Sequence, residues 1–62
     1  MKLTDTNRER IINILSPIGT DEQIDSYIED LDTSLWTNRE LAEFTADEII
    51  DSFNVFLDYF AD

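Results

Sequence analysis

The run Thr20-Asp21-Glu22-Gln23-Ile24-Asp25-Ser26-Tyr27-Ile28-Glu29-Asp30-Leu31 places Ile24, Tyr27, Ile28 and Leu31 at i, i+3, i+4 and i+7. That spacing sets four apolar side chains on one face of a 3.6-residue helix. Thr20 and Gln23 stand three apart at its start, the pattern in which each side chain satisfies the other's backbone N–H. Asp21 and Glu22 fall in the first turn, where the helix dipole favours anions. The run therefore predicts a helix over 21–31, polar and acidic on its outer side.

The same grammar extends in both directions. Towards the N-terminus, Ile11, Ile12, Ile14, Leu15 and Ile18 carry helical spacings. Thr6 with Glu9 reads as a capping box, with Thr4 as an alternative cap, and Pro17 and Gly19 stop the helix near Leu15 or Ser16. Towards the C-terminus, Thr37 with Glu40 opens a short helix bearing Leu41, Ala42 and Phe44, after a connection at 32–36. Thr45 with Glu48 opens a last one, on which Ile49, Ile50, Phe53, Phe56, Leu57 and Phe60 span an arc of about 120°. No segment alternates in the manner of a half-buried strand. The expectation is an all-α single domain over 1–62, a compact bundle of three to four short helices at about 6–16, 21–31, 38–44 and 46–60.

Two short motifs recur. Thr6-Asn7-Arg8-Glu9 returns as Thr37-Asn38-Arg39-Glu40, and Asp21-Glu22-Gln23-Ile24-Asp25-Ser26-Tyr27 as Asp47-Glu48-Ile49-Ile50-Asp51-Ser52-Phe53. They are consistent with a duplicated helical hairpin, and equally with capping boxes and acidic amphipathic helices that resemble one another by construction.

Charge is the outstanding feature of composition. The 62 residues hold 15 acidic and 4 basic side chains, a formal net charge of −11. Residues 1–19 carry Lys2, Arg8 and Arg10 against Asp5 and Glu9, a net of +1; residues 20–62 carry 13 acids and only Arg39, a net of −12. On the second helix Asp21, Asp25, Glu29 and Asp32 follow at i, i+4, i+8 and i+11, with Glu22 beside them, and four residues advance about 6 Å. The last helix adds Asp47, Asp51, Asp58 and Asp62 away from its apolar face. Like charges four apart each cost a helix about 0.2–0.5 kcal/mol, and lysine, the usual remedy, is absent after Lys2. Solubility alone would explain one acidic face; one basic residue in the last 43 points to a partner for the negative surface.

Composition excludes much else. A polyanion has the wrong sign for direct contact with nucleic acid or an anionic membrane. With hydrophobic residues at 42% and seven aromatics, the chain has apolar surface to bury and is not a disordered acidic tail. There is no cysteine and no histidine, which removes disulfides, thiolate chemistry, the commonest general base and the usual ligands of zinc. One glycine cannot make a phosphate loop. No catalytic residue and no cofactor is expected. No metal site is expected either: Asp30-Leu31-Asp32-Thr33-Ser34 opens like a calcium loop, but Leu35 and Leu41 stand where that loop needs glycine and glutamate. No stretch approaches a membrane span, Met1–Asp5 has no apolar leader, and a cytoplasmic location is expected.

Trp36-Thr37-Asn38-Arg39-Glu40-Leu41-Ala42-Glu43-Phe44 resembles the first helix of many helix-turn-helix regulators. The following helix presents Asp and Glu where a DNA reader needs Arg, Lys, Asn or Gln, so the resemblance implies shape and not DNA binding. In size and acidity the whole chain resembles the small proteins by which phages and mobile elements inhibit host nucleic-acid enzymes: DNA mimics, anti-restriction proteins and anti-CRISPR proteins. That resemblance implies an inhibitor acting in the host cytoplasm on a basic, nucleic-acid-binding protein. Asp21, Glu22, Asp25, Glu29, Asp32, Asp47, Asp51 and Asp58 would be its acidic face, and Trp36, Val55 and Tyr59 its apolar anchors. The alternative is a helical adaptor, an antitoxin-like neutraliser or a small regulator binding through its aromatic face, including a homodimer through the last helix.

Overall fold

The computed structural model describes residues 2–60, with side chains for 2–59. Four helices follow in order: α1 (Asp5–Leu15), α2 (Asp21–Asp32), α3 (Asn38–Glu43) and α4 (Ala46–Phe60), with no strand among the described residues. The class and number match the expectation, and the bounds move by one residue at the start of α1 and at the ends of α1, α2 and α3. The side chain of Phe60, placed on the apolar arc above, and Asp62, placed on the polar side of the last helix, lie outside the described residues.

The starts of the helices follow local chemistry. Thr20 and Gln23 form a reciprocal capping box on α2, and Thr37 and Glu40 form one on α3. At α4 the backbone N–H of Thr45 donates to Glu48 Oε1 at 3.0 Å, and that of Glu48 to Thr45 Oγ1 at 3.2 Å. The exception is α1. Thr4, not Thr6, caps it, accepting from the backbone N–H of Asn7. With the cap two residues earlier, Leu3 is buried in the core and Asn7 turns towards α3.

α1 is the element shared by the others. It packs against α2, α3 and α4, and α4 also packs against α2. Its fully buried Ile11 and Leu15 meet Ile24, Tyr27, Ile28 and Leu31 of α2, Leu41 of α3, and Ile49 and Phe53 of α4, with Leu3 closing the N-terminal end. Ile12 and Ile18, which share the helical spacing, stay exposed. Among the described residues α3 packs on α1 rather than on α4, unlike the paired helices that the resemblance at residues 36–44 implies.

Polar clasps join α1 to α3. The buried Asn7 amide donates to the Asn38 carbonyl at 3.0 Å and to Asn38 Oδ1 at 3.1 Å. Asn38 in turn accepts from the Thr4 N–H and donates to the Lys2 carbonyl, pairing with the N-terminal segment as a peptide group would. Arg10 donates to the carbonyls of Leu41 and Phe44 at the end of α3. The recurring Thr-Asn-Arg-Glu tetrapeptides thus meet each other, but in different roles: Thr37 is a cap, whereas Thr6 lies inside α1. The heptapeptide echo is kept in part: its aligned pair Tyr27 and Phe53 are both buried, whereas Ile24 and Leu31 are buried and their counterparts Ile50 and Leu57 only partly so.

Gly19 ends the α1–α2 turn without a positive φ. Its requirement is space: a Cβ there would lie 2.6 Å from Phe53 Cζ.

Candidate functional site

The site begins with what α2 and α4 cannot bury. Tyr27 faces α4, with ring centroids 5.4 Å from Phe53 and 5.5 Å from Phe56, both edge-on. Its hydroxyl donates to Ser52 Oγ at 2.9 Å. Burial pushes that hydroxyl above its ordinary value of 10.0; the Ser52 bond opposes the shift and the negative charge of Asp30 adds to it. Beyond this contact the helices part and leave a hollow of about 200 Å³. Tyr27, Asp30 and Leu31 line it from α2, Trp36 from the connection, and Val55, Phe56 and Tyr59 from α4.

The three expected apolar anchors therefore converge. Trp36 is 43% exposed, Val55 60% and Tyr59 81%, and all three border one hollow although the first and last stand 23 positions apart. Trp36 is held edge-on against Phe44 at 5.1 Å. Leu35, next to it, is wholly exposed. The hollow equals roughly six or seven waters in volume and falls short of the 300–1,000 Å³ or so of a small-molecule pocket. A wider depression of about 690 Å³ between α1 and the start of α4 is lined by Glu9, Arg10 and Ala46 among others. Arg10 there is already committed to the α3 carbonyls.

The expected acidic residues divide into groups. Asp21, Glu22, Asp25 and Glu29 are exposed on α2, and Asp47, Asp51 and Asp58 on α4. Among the described residues no hydrogen bond or ion pair engages these seven carboxylates. At about 100° per residue, Val55 lies about 40° around the α4 axis from Asp51, so the α4 acids stand on the far side of Val55 from α2. The negative surface is thus two flanks with the aromatic hollow between them.

Asp32 departs from the expected row. It accepts the Leu3 N–H at 2.8 Å and pairs with Arg8 at 3.7 Å, with its side chain 27% exposed. The N-terminal segment crosses the end of α2 there, and its N–H needs an acceptor, so Asp32 fastens the chain. Asp30, which the row omitted, is the exposed carboxylate that borders the hollow. The i, i+3 spacing sets it beside Tyr27 on α2, but which flank of α2 turns towards α4 is fixed only by packing, so no sequence signal singled it out.

Among the described residues no group of acids is placed to hold a metal ion, and no helix is long and apolar enough to cross a membrane. Fold and site together describe a small four-helix domain with an aromatic hollow between acidic flanks. No family model matches the chain, and no curated protein or solved structure shows significant similarity to it.

Proposed function

We propose that this chain is a non-enzymatic binding protein that inhibits a nucleic-acid-processing enzyme by covering the basic surface with which that enzyme grips DNA or RNA. The observation that carries the reading is the set of seven exposed, unengaged carboxylates on α2 and α4, on a domain whose net charge is −11. Rows of carboxylates about 6 Å apart along a helix offer a groove built for phosphates a rigid substitute of the same sign. Opposite potentials speed encounter and orient it, while Trp36, Val55 and Tyr59 supply apolar contact of the kind that carries binding energy at interfaces. On this reading the protein acts in the compartment of its target, the cytoplasm, and contacts neither nucleic acid nor membrane.

Convergence of the three apolar anchors favours a second reading, an adaptor held mainly by its aromatic hollow. Paired substitutions separate the two. Under the inhibitor reading, Asp25→Lys with Glu29→Lys abolishes inhibition, and binding collapses at about 0.5 M salt, where the screening length is roughly 4 Å. Under the adaptor reading, Val55→Ser with Tyr59→Ser does the greater damage and binding withstands salt.

A further inference from the structure

We infer that the hollow between α2 and α4 is a socket for a single arginine side chain of a basic partner protein, stacked on Trp36 and Tyr59 and paired with Asp30. The inference deepens the proposed function and rests on its reading of the chain as a binder of a basic protein. Four observations lead to it.

The hollow, at about 200 Å³, has the scale of one long side chain. Its walls are aromatic: Tyr27, Trp36, Phe56 and Tyr59 border it from three segments of the chain. A cation over such rings is drawn to their negative faces, and arginine does so more often than lysine because its planar, weakly hydrated guanidinium also stacks. The rim carries Asp30, which no hydrogen bond or ion pair engages through its side chain among the described residues. A guanidinium lying on the rings can present two parallel N–H groups to that carboxylate, a geometry lysine cannot reproduce.

The fourth observation excludes the other obvious occupant. A second copy of this chain would bring another −11 to a surface flanked by Asp51 and Asp58, and like charges across an interface oppose association. The cationic side chains of α1 are also unsuited, since Arg8 pairs with Asp32 and Arg10 donates into α3. Charge complementarity therefore favours a basic partner over self-association.

Trp36 is the sole tryptophan, so its fluorescence reports occupancy of the hollow. The test titrates the full chain with three alanine-based helical peptides. Each carries leucine four residues from, respectively, arginine, lysine or citrulline, the last being a neutral isostere of arginine. Socket binding predicts a saturable blue shift of Trp36 with the arginine peptide, about tenfold higher concentrations for lysine, and no shift with citrulline. Asp30→Asn should raise the arginine midpoint about tenfold, whereas Glu9→Gln, an equal loss of charge on exposed α1, should leave it within about twofold. Both sites are exposed, and circular dichroism confirms that each variant is folded before titration. Equal midpoints for arginine and lysine, equal effects of the two variants, or an unmoved Trp36 overturns the inference. If a nucleic-acid enzyme is still inhibited by Asp30→Asn at full strength, the socket fails and the proposed function stands. If the arginine peptide binds as described and no basic nucleic-acid-binding partner exists, the proposed function fails instead.

Discussion

At the scale of residues, three positions test whether the packing is understood. Gly19 is needed because the Phe53 ring, fully buried, occupies the space of a Cβ. Gly19→Ala must push that ring, and overpacking of this kind costs about 1–3 kcal/mol. A 62-residue domain holds only about 3–9 kcal/mol in total, so the loss should be plain in a urea unfolding curve. An unchanged midpoint would show that the ring yields freely. Tyr27 makes a prediction about pH. Its folded hydroxyl titrates above the ordinary 10.0 because burial disfavours the anion. The folded state then holds the proton that the unfolded chain releases. Its stabilisation is complete below about pH 10 and is lost as pH rises through the raised folded value. Tyr27→Phe should be weaker at neutral pH by about 1 kcal/mol, for the lost bond to Ser52, yet should decline less between pH 9 and 11 or so. Parallel declines of wild type and variant would contradict this account. Asn7 marks a limit of sequence reading. A polar residue near the start of α1 gives no sign that its amide will meet Asn38, because the partner stands 31 residues away and the bond exists only once α1 and α3 have packed.

At the scale of elements, the sequence was most legible where the physics is local. Three capping boxes appear where Thr and Glu or Gln stand three apart. The fourth failed because Thr4 and Thr6 both offer a hydroxyl, and the choice rests on burying Leu3, a tertiary matter. The unequal burial of the aligned pairs Ile24/Ile50 and Leu31/Leu57 has the same cause: identity of short acidic motifs does not fix how deeply a residue enters the core. Val55, Tyr59 and Trp36 were legible as surplus apolar surface, but not their neighbour Asp30, whose role depends on how α2 approaches α4. The ends of the helices carry a further clue. No helix has a basic residue in its last turn, and Glu29 and Asp58 place negative charge where the dipole is already negative. Each such placement costs about 0.3–1 kcal/mol. Glu29→Lys and Asp58→Lys should therefore raise the melting temperature while weakening partner binding, the trade expected of residues kept for function. Variants that gain stability and bind as tightly as the parent would reduce these acids to solubilising decoration.

At the scale of the whole molecule, eleven net negative charges are spread over 4420 Å² of surface on a body of about 30 × 22 × 18 Å. Among the described residues one ion pair, Arg8–Asp32, offsets them. Self-repulsion of this kind opposes the compact state and is relieved by salt. The molecule therefore keeps an acidic exterior at a cost to its own stability, and the aromatic hollow lies between the acidic flanks. The most direct measurement is capture of partners on the immobilised chain from a lysate of the cell in which it acts, at low ionic strength, with elution by an excess of DNA or RNA oligonucleotide. The account predicts that the oligonucleotide releases a basic, nucleic-acid-binding protein, because the two ligands compete for one surface. Retention of every captured protein in the presence of oligonucleotide, or capture of none that is basic, would contradict it.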